Sequence, residues 1–209
     1  DGYWSRGLGD VYKRQVGTNA EIVVGNSERM LAASSPTGPA FEGAQISSGQ
    51  RAAPGAIERI RIDKDTLEPC FRVIGVEQWS NEDGFDEAVK STGITGICGS
   101  GIIEVLAEMY LSGILSTDGV IDGTVAARTP RIEEDGRTFA YRVAENVVVT
   151  QNDVRAIQLA KAALHAGFRL LMDKMELKKF DRVVLAGAFG THIDPKLSLI
   201  HISEPTRPI

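Results

Sequence analysis

The sequence predicts an α/β fold, and three stretches carry that prediction. Glu21-Ile22-Val23-Val24 reads as an apolar strand, Gly25-Asn26 as a hairpin turn, and Arg29 to Ser34 as the returning strand. Far downstream, Gln151 to Met175 has the apolar spacing of one long amphipathic helix. Asp181 to Ala186 then reads as a β-branched strand that enters Gly187-Ala188-Phe189-Gly190. Strands on either side of a long helix define the α/β class.

The two ends are set aside before the elements are taken in order. Tyr3 to Gln15 pairs with Ile209 back to Leu197, position i with position 212 − i, and all thirteen pairs can be written as reverse-complementary codons. Gln15 as CAG gives Leu197 as CTG, and Trp4 as TGG gives Pro208 as CCA. Residues 1–15 and 197–209 therefore read as a non-native, adapter-like DNA segment translated on both strands, leaving 16–196 as part of a longer protein. The whole chain carries a net charge of −5. Without the ends, which hold Arg6, Lys13, Arg14 and Arg207 against Asp1, Asp10 and Glu204, it carries −6. An acidic chain without a basic run argues against a nucleic-acid surface. No apolar run reaches the roughly 18 residues of a membrane span. Cys70 and Cys98 stand far apart, in no metal-ligand spacing, which suits a reduced, cytoplasmic protein.

Val16-Gly17-Thr18-Asn19 opens the first strand. A turn of small residues exposes backbone N–H groups and two short polar side chains, and so can face an anion; it can equally be an ordinary hairpin. Ser35 to Ala44, with two prolines and two glycines, is a shaped loop leading to a short helix near Ala44–Ser48. Pro54-Gly55 is a turn, Ala56 to Asp63 a strand, and Cys70 to Val76 its partner. Gln78 to Asp86 is an acidic surface loop.

Thr95-Gly96-Ile97-Cys98-Gly99-Ser100-Gly101 precedes a helix over Ile102 to Ser112, with Ser100 as its N-cap and Gly113 just past its end. Such a glycine turn can hold an anion or pack a helix tightly on a sheet, and packing is the preferred reading. Cys98 reads as a small buried residue, because no histidine lies near it in sequence. Val120 to Arg142 is loop and polar strand, and Val147 to Thr150 a short apolar strand. Thr150 and Asp153 have the spacing of a capping box that starts the long helix. Ile157, Ala160, Leu164, Phe168 and Leu171 form its apolar stripe, while Gln158, Lys161 and His165 share another face. No Rossmann or Walker A pattern is present.

Several blocks together resemble the reductive activators of corrinoid-dependent enzymes, within the ASKHA superfamily of actin, Hsp70 chaperones and sugar kinases. They are Gly17 to Val23, Gly38 to Gly43, Arg51 to Glu58, Gly96 to Gly101, Gln158 to Lys161 and Ala186 to Gly190. The resemblance implies a truncated second ASKHA lobe with an RNase-H-like mixed sheet and flanking helices. It further implies an ATP-binding or ATPase portion of an iron–sulfur protein that returns Co(II) corrinoid to Co(I). ATP with Mg2+ and a [2Fe–2S] cluster, the latter in a missing N-terminal ferredoxin part, are the implied cofactors. A corrinoid protein is the implied partner, with a homodimer as a further expectation and neither nucleic acid nor membrane.

Carried over residue by residue, Gly17, Thr18 and Asn19 would bind phosphate. Gly187, Ala188 and Gly190 would line the adenosine, and Gln158 and Lys161 would reach the base or ribose. The family normally has an Asp before Val-Gly-Thr-Asn, on the metal side, where this chain has Gln15. With that acid and the other lobe missing, the 209-residue chain itself is expected to lack ATPase activity. No catalytic residue and no metal ligand is assigned. The alternatives are a small-molecule kinase of the same superfamily and an actin- or chaperone-like module switched by nucleotide.

Overall fold

The computed structural model describes residues 11–16 and 19–186, with side chains described for 19–184. β1 (Val11–Val16), β2 (Ala20–Gly25) and β3 (Met30–Ser35) form an antiparallel meander. Along β2 the pleat buries Ala20, Ile22 and Val24 and leaves Glu21 exposed. Asn26 shapes the next turn by accepting the N–H groups of Glu28 and Arg29, each at 3.0 Å. Five of the six residues of β1, Val11 to Gln15, belong to the segment set aside above. The hydrogen bonds of strand pairing are made by backbone groups common to every residue.

Residues 36–150 leave the end of β3 and build two smaller sheets around a buried helix. A 3-10 turn, Pro39–Glu42, lies between Gly38 and Gly43, both with positive φ. The short helix expected near Ala44–Ser48 does not form; the stretch is a series of tight turns. Its backbone is committed elsewhere: Ser48 accepts the Ile97 N–H at 2.8 Å and Gln50 donates to the Ile97 carbonyl at 2.9 Å. A Cβ on Gly49 would stand 2.1 Å from the Gly43 carbonyl oxygen, so two turns of chain cross there in contact.

β4 (Ala56–Ile62) pairs antiparallel with β5 (Pro69–Val73), with a bulge between Ile57 and Arg59. In the turn between them, Asp63 accepts from the Thr66 N–H and hydroxyl and from the Asp65 N–H, which holds its carboxyl below the usual range. The acidic loop after β5 ends in a single turn of helix, α1 (Phe85–Val89), anchored by Phe85 edge-on to Phe71.

β6 (Gly96–Ile97) runs parallel to the start of β4 and leads into α2 (Gly99–Leu111). The N-cap is Cys98, not Ser100, and it makes no side-chain cap. Cys98 stays extended because its N–H is held by the Ile57 carbonyl at 3.0 Å. Ser100 is thereby drawn into the first turn of the helix and buried. A Cβ on Gly101 would meet the Ile57 carbonyl oxygen at 2.4 Å. The glycine turn therefore brings helix and strand into close contact, and Cys98 is buried as expected.

α2 is buried from Gly99 through Met109, two glutamates included. Glu104 accepts the Ile60 N–H at 3.0 Å, and Glu108 accepts the Ile62 N–H at 3.1 Å. These carboxylates satisfy the edge of β4 beyond the two residues that β6 covers. Arg59 Nε stands 2.7 Å from Glu104 Oε1 and Arg61 Nη1 donates to Glu104 Oε2 at 2.8 Å, so the buried charge is paired.

β7 (Ile132–Asp135), β8 (Thr138–Ala144) and β9 (Val147–Thr150) form an antiparallel sheet where the sequence suggested loop, one polar strand and a short apolar one. Tyr141 of β8 is fully buried, and its hydroxyl donates to the Leu67 carbonyl at 2.8 Å. Leu67 has φ 61°, a left-handed conformation that the Tyr141 contact helps to hold. The chain then enters α3 (Gln151–Met175), which ends on Glu176 in the left-handed conformation and leads to β10 (Arg182–Ala186). β10 pairs parallel with β1, completing a four-stranded sheet in the order β10-β1-β2-β3.

Candidate functional site

β1 and β10 finish at the same end of the large sheet. Gln15 pairs with Ala186, and Val16 with Ala20, so both strands finish beside the residues that connect β1 to β2. The C-terminal ends of neighbouring parallel strands are where open α/β sheets take ligands. Asn19 is exposed there. Gly17 and Thr18, and Gly187, Ala188 and Gly190, lie outside the described residues.

The middle of α3 reaches the same end. The Ser35 hydroxyl donates to the Ala163 carbonyl at 2.6 Å, and Ser35 is the partner of Ala20 across the sheet. Further along, a Cβ on Gly167 would stand 2.9 Å from Ile22 Cδ1, so the helix backbone lies directly on β2. Glycine at that position permits the approach. Lys161, half-buried, lies within a turn of Ala163. Gln158 is also half-buried, and its amide is engaged: it accepts from Arg155 at 2.6 Å and donates to the Asp118 carbonyl at 3.3 Å.

The first turns of α3 grip two loops at once. Gln151, buried, accepts the Ile121 N–H at 2.9 Å and donates to the Gly119 carbonyl at 2.7 Å. Arg155 donates to the Asp118 carbonyl at 3.1 Å. Just beyond this loop, the Thr124 hydroxyl and N–H hold the Asp122 carboxyl below its usual range. On the other side, Asp153 completes the capping box with Thr150 and also accepts the Ser47 N–H at 2.8 Å and its hydroxyl at 3.0 Å. The box was legible in the sequence. Its second task was not, because Ser47 is 106 residues away.

Glu21 was not singled out by sequence reasoning. It is exposed on β2, two residues after the exposed Asn19, and the Ser34 hydroxyl donates to its Oε1 at 2.8 Å. The period-two pattern around it was the available signal. Among the described residues no group of three or more His, Cys, Asp or Glu side chains forms a metal site. Nor is any helix among them long and apolar enough to cross a membrane.

A three-stranded antiparallel meander, a helix lying on it and a fourth strand parallel to the first make an ASKHA-type lobe. The C-terminal ASKHA domain of RACo matches residues 14–202, and the chain belongs to that family. Among curated proteins it is similar to the corrinoid activation enzyme RamQ of Eubacterium limosum, 34% identical over 194 residues, which are 86% of this chain and 30% of RamQ. It is also 27% identical over 189 residues to the [Co(II) methylated amine-specific corrinoid protein] reductase of Methanosarcina barkeri, covering 85% of this chain and 32% of that protein. Among solved structures, a reductive activator for corrinoid, iron–sulfur protein superposes with a TM-score of 0.75 at 32% identity, over 93% of this chain and 30% of that one. The chain thus spans about a third of the length of these relatives.

Proposed function

We propose that this lobe is the ATP-binding portion of a cytoplasmic, iron–sulfur reductive activator that returns Co(II) corrinoid proteins to Co(I). The observation that carries the reading is that β1 and β10 finish at one end of the sheet, where the Ser35 hydroxyl also meets the middle of α3. In this reading Gly17, Thr18 and Asn19 hold the nucleotide phosphates through N–H, hydroxyl and amide groups, and Gly187, Ala188 and Gly190 line the adenosine. Lys161 reaches the ribose or base from α3, and Gln158 does so by exchanging its bond to Asp118.

The donor chemistry fits a magnesium nucleotide. Small residues with short polar side chains suit phosphate, and the exposed Glu21 carboxylate suits a hard cation that keeps its waters. It does not fit an iron–sulfur cluster. The sequence has two cysteines, Cys98 is buried, and Cys70 is hydrogen-bonded to Asn81, whereas a ferredoxin cluster takes four thiolates. The cluster therefore belongs to another part of the activator, where it supplies a single low-potential electron. This chain's share is to bind nucleotide and so to bias the conformation in which the electron is passed. The partner in this reading is a corrinoid protein, and the activator works as a homodimer.

Thr18→Ala in the complete activator is expected to weaken nucleotide binding about tenfold, the worth of one hydrogen bond to a charged group. Titration with a fluorescent ATP analogue reads it, and unchanged affinity removes Thr18 from the site. The activity itself is read by loss of the Co(II) corrinoid absorbance under a low-potential reductant. ATP should accelerate that loss. Reduction indifferent to ATP, or phosphorylation of a small molecule instead, sinks the activator reading.

A further inference from the structure

We infer that Arg155 is a positioning residue for the nucleotide, acting through Gln158. It holds the oxygen end of the Gln158 amide, so that Gln158 offers the ligand an N–H donor. The ligand must then supply an acceptor, a ribose hydroxyl oxygen or a ring nitrogen of the base. The inference rests on the nucleotide reading above, which brings Gln158 to the ribose or base, and gives Arg155 a role within it.

Gln151, Arg155 and Gln158 lie four and three apart and share one face of α3. All three grip the tip of one hairpin, which bridges Leu115 to Ile121 and turns on the Gly119 N–H donating to the Ser116 carbonyl at 2.9 Å. Gln151 is buried, with its amide oxygen on Ile121 and its amide nitrogen on Gly119. Gly119 has φ 72°, and a Cβ there would stand 2.0 Å from Gln158 Nε2, so the tip is shaped for the Gln158 amide to lie against it.

Arginine only donates and a carbonyl only accepts, so these neighbours leave the Gln158 amide one orientation. Its Oε1 accepts from Arg155 Nη1 at 2.6 Å, and its Nε2 donates to the Asp118 carbonyl at 3.3 Å. The first bond is short and charge-assisted, the second long and neutral, so the second yields when a ligand acceptor arrives. The exchange does not orphan the Asp118 carbonyl, because Arg155 Nη1 also donates to it at 3.1 Å. Without Arg155 the amide is free to turn over and present its oxygen instead.

A double-mutant cycle on ADP binding to the complete activator, followed by titration calorimetry, tests this. Gln158→Ala is expected to weaken binding about fivefold, the worth of one neutral hydrogen bond, and Arg155→Ala about threefold. Arg155→Ala added to Gln158→Ala should cost nothing further, since Arg155 acts through that amide. Gln158→Glu keeps an acceptor but has no donor, and should lose at least as much as Gln158→Ala. The hairpin stays anchored by Gln151, so Arg155→Ala should keep the parent circular dichroism. Additive losses would mean that Arg155 works by its charge or by bracing the hairpin, and they overturn the inference. Unchanged binding in any single variant overturns it too. In all these cases the parent still binds ADP and the nucleotide reading stands; a parent that binds no ADP overturns that reading itself.

Discussion

Glu104→Ala is expected to destabilise the chain by about 3 kcal/mol, the lower end of the cost of breaking a buried ion pair. Glu104 is fully buried on α2 and serves three groups: the Ile60 N–H, Arg59 and Arg61. Arg59 Nε and Glu104 Oε1 are buried atoms with no hydrogen-bond partner among the described residues, so their 2.7 Å ion pair is their compensation. Both arginine side chains are partly exposed, 34% and 38%, and can turn to water once the carboxylate is gone. The Ile60 N–H cannot, since Ile60 is buried. That asymmetry places the loss at the lower end. Glu104→Gln keeps an acceptor for Ile60 and should cost about 1 kcal/mol less than Glu104→Ala. Urea unfolding of the two variants against the parent chain measures both. A Glu104→Ala loss below about 1 kcal/mol would mean that the edge of β4 is satisfied in some other way.

Asp153→Ala should cost about 2 kcal/mol, more than an ordinary helix cap, because the same side chain ties down a second segment. Its two oxygens accept the Thr150 N–H, the Ser47 N–H and the Ser47 hydroxyl. Removing it frees the first turn of α3 and the Ala44–Ser48 turns together. Arg51 is exposed just beyond those turns, so trypsin reports on the second effect. Cleavage after Arg51 should accelerate in Asp153→Ala more than in Thr150→Ala, which loses the cap and the Thr150–Ser47 hydroxyl contact but keeps both bonds from Ser47 to Asp153. Equal cleavage in the two variants would reduce Asp153 to a cap alone.

What could be read in advance divides along the range of the interactions. The bounds of α3 were legible because the Thr150–Asp153 box and the stripe through Ile157, Ala160 and Leu164 act within a few residues of each other. The β2–β3 hairpin was legible for the same reason, with Gly25-Asn26 between two runs of strand formers. β7 and much of β8 were not: Glu133, Glu134 and Asp135 are polar, and the strand is secured by Ile132 and by its pairing with the wholly buried Tyr141. Ser100 was read as a cap from its type alone, yet the Ile57 carbonyl decides the matter by holding Cys98 extended. The burial of Glu104 and Glu108 depends on an open strand edge more than 40 residues earlier in sequence. The residues proposed for phosphate and adenosine came from block resemblance. That Gln15 and Ala186 are neighbours, so that β1 and β10 finish at one end of the sheet, is a fact of parallel pairing that no local pattern carries.

The 36–150 excursion closes on itself where it leaves the large sheet: the Val148 N–H donates to the Ser48 hydroxyl at 2.9 Å, across 100 residues of chain. That closure bears on the order in which the molecule assembles. The β2–β3 hairpin and α3 can form locally, but β10 must find β1 across nearly the whole chain, and a flexible connection of that length is entropically costly to close. If the excursion folds first, Ser48 and Val148 become two fixed points of a small rigid body, and the remaining search is between short segments. Folding rate then tracks the stability of the excursion, and substitutions inside it slow the formation of a sheet they never touch.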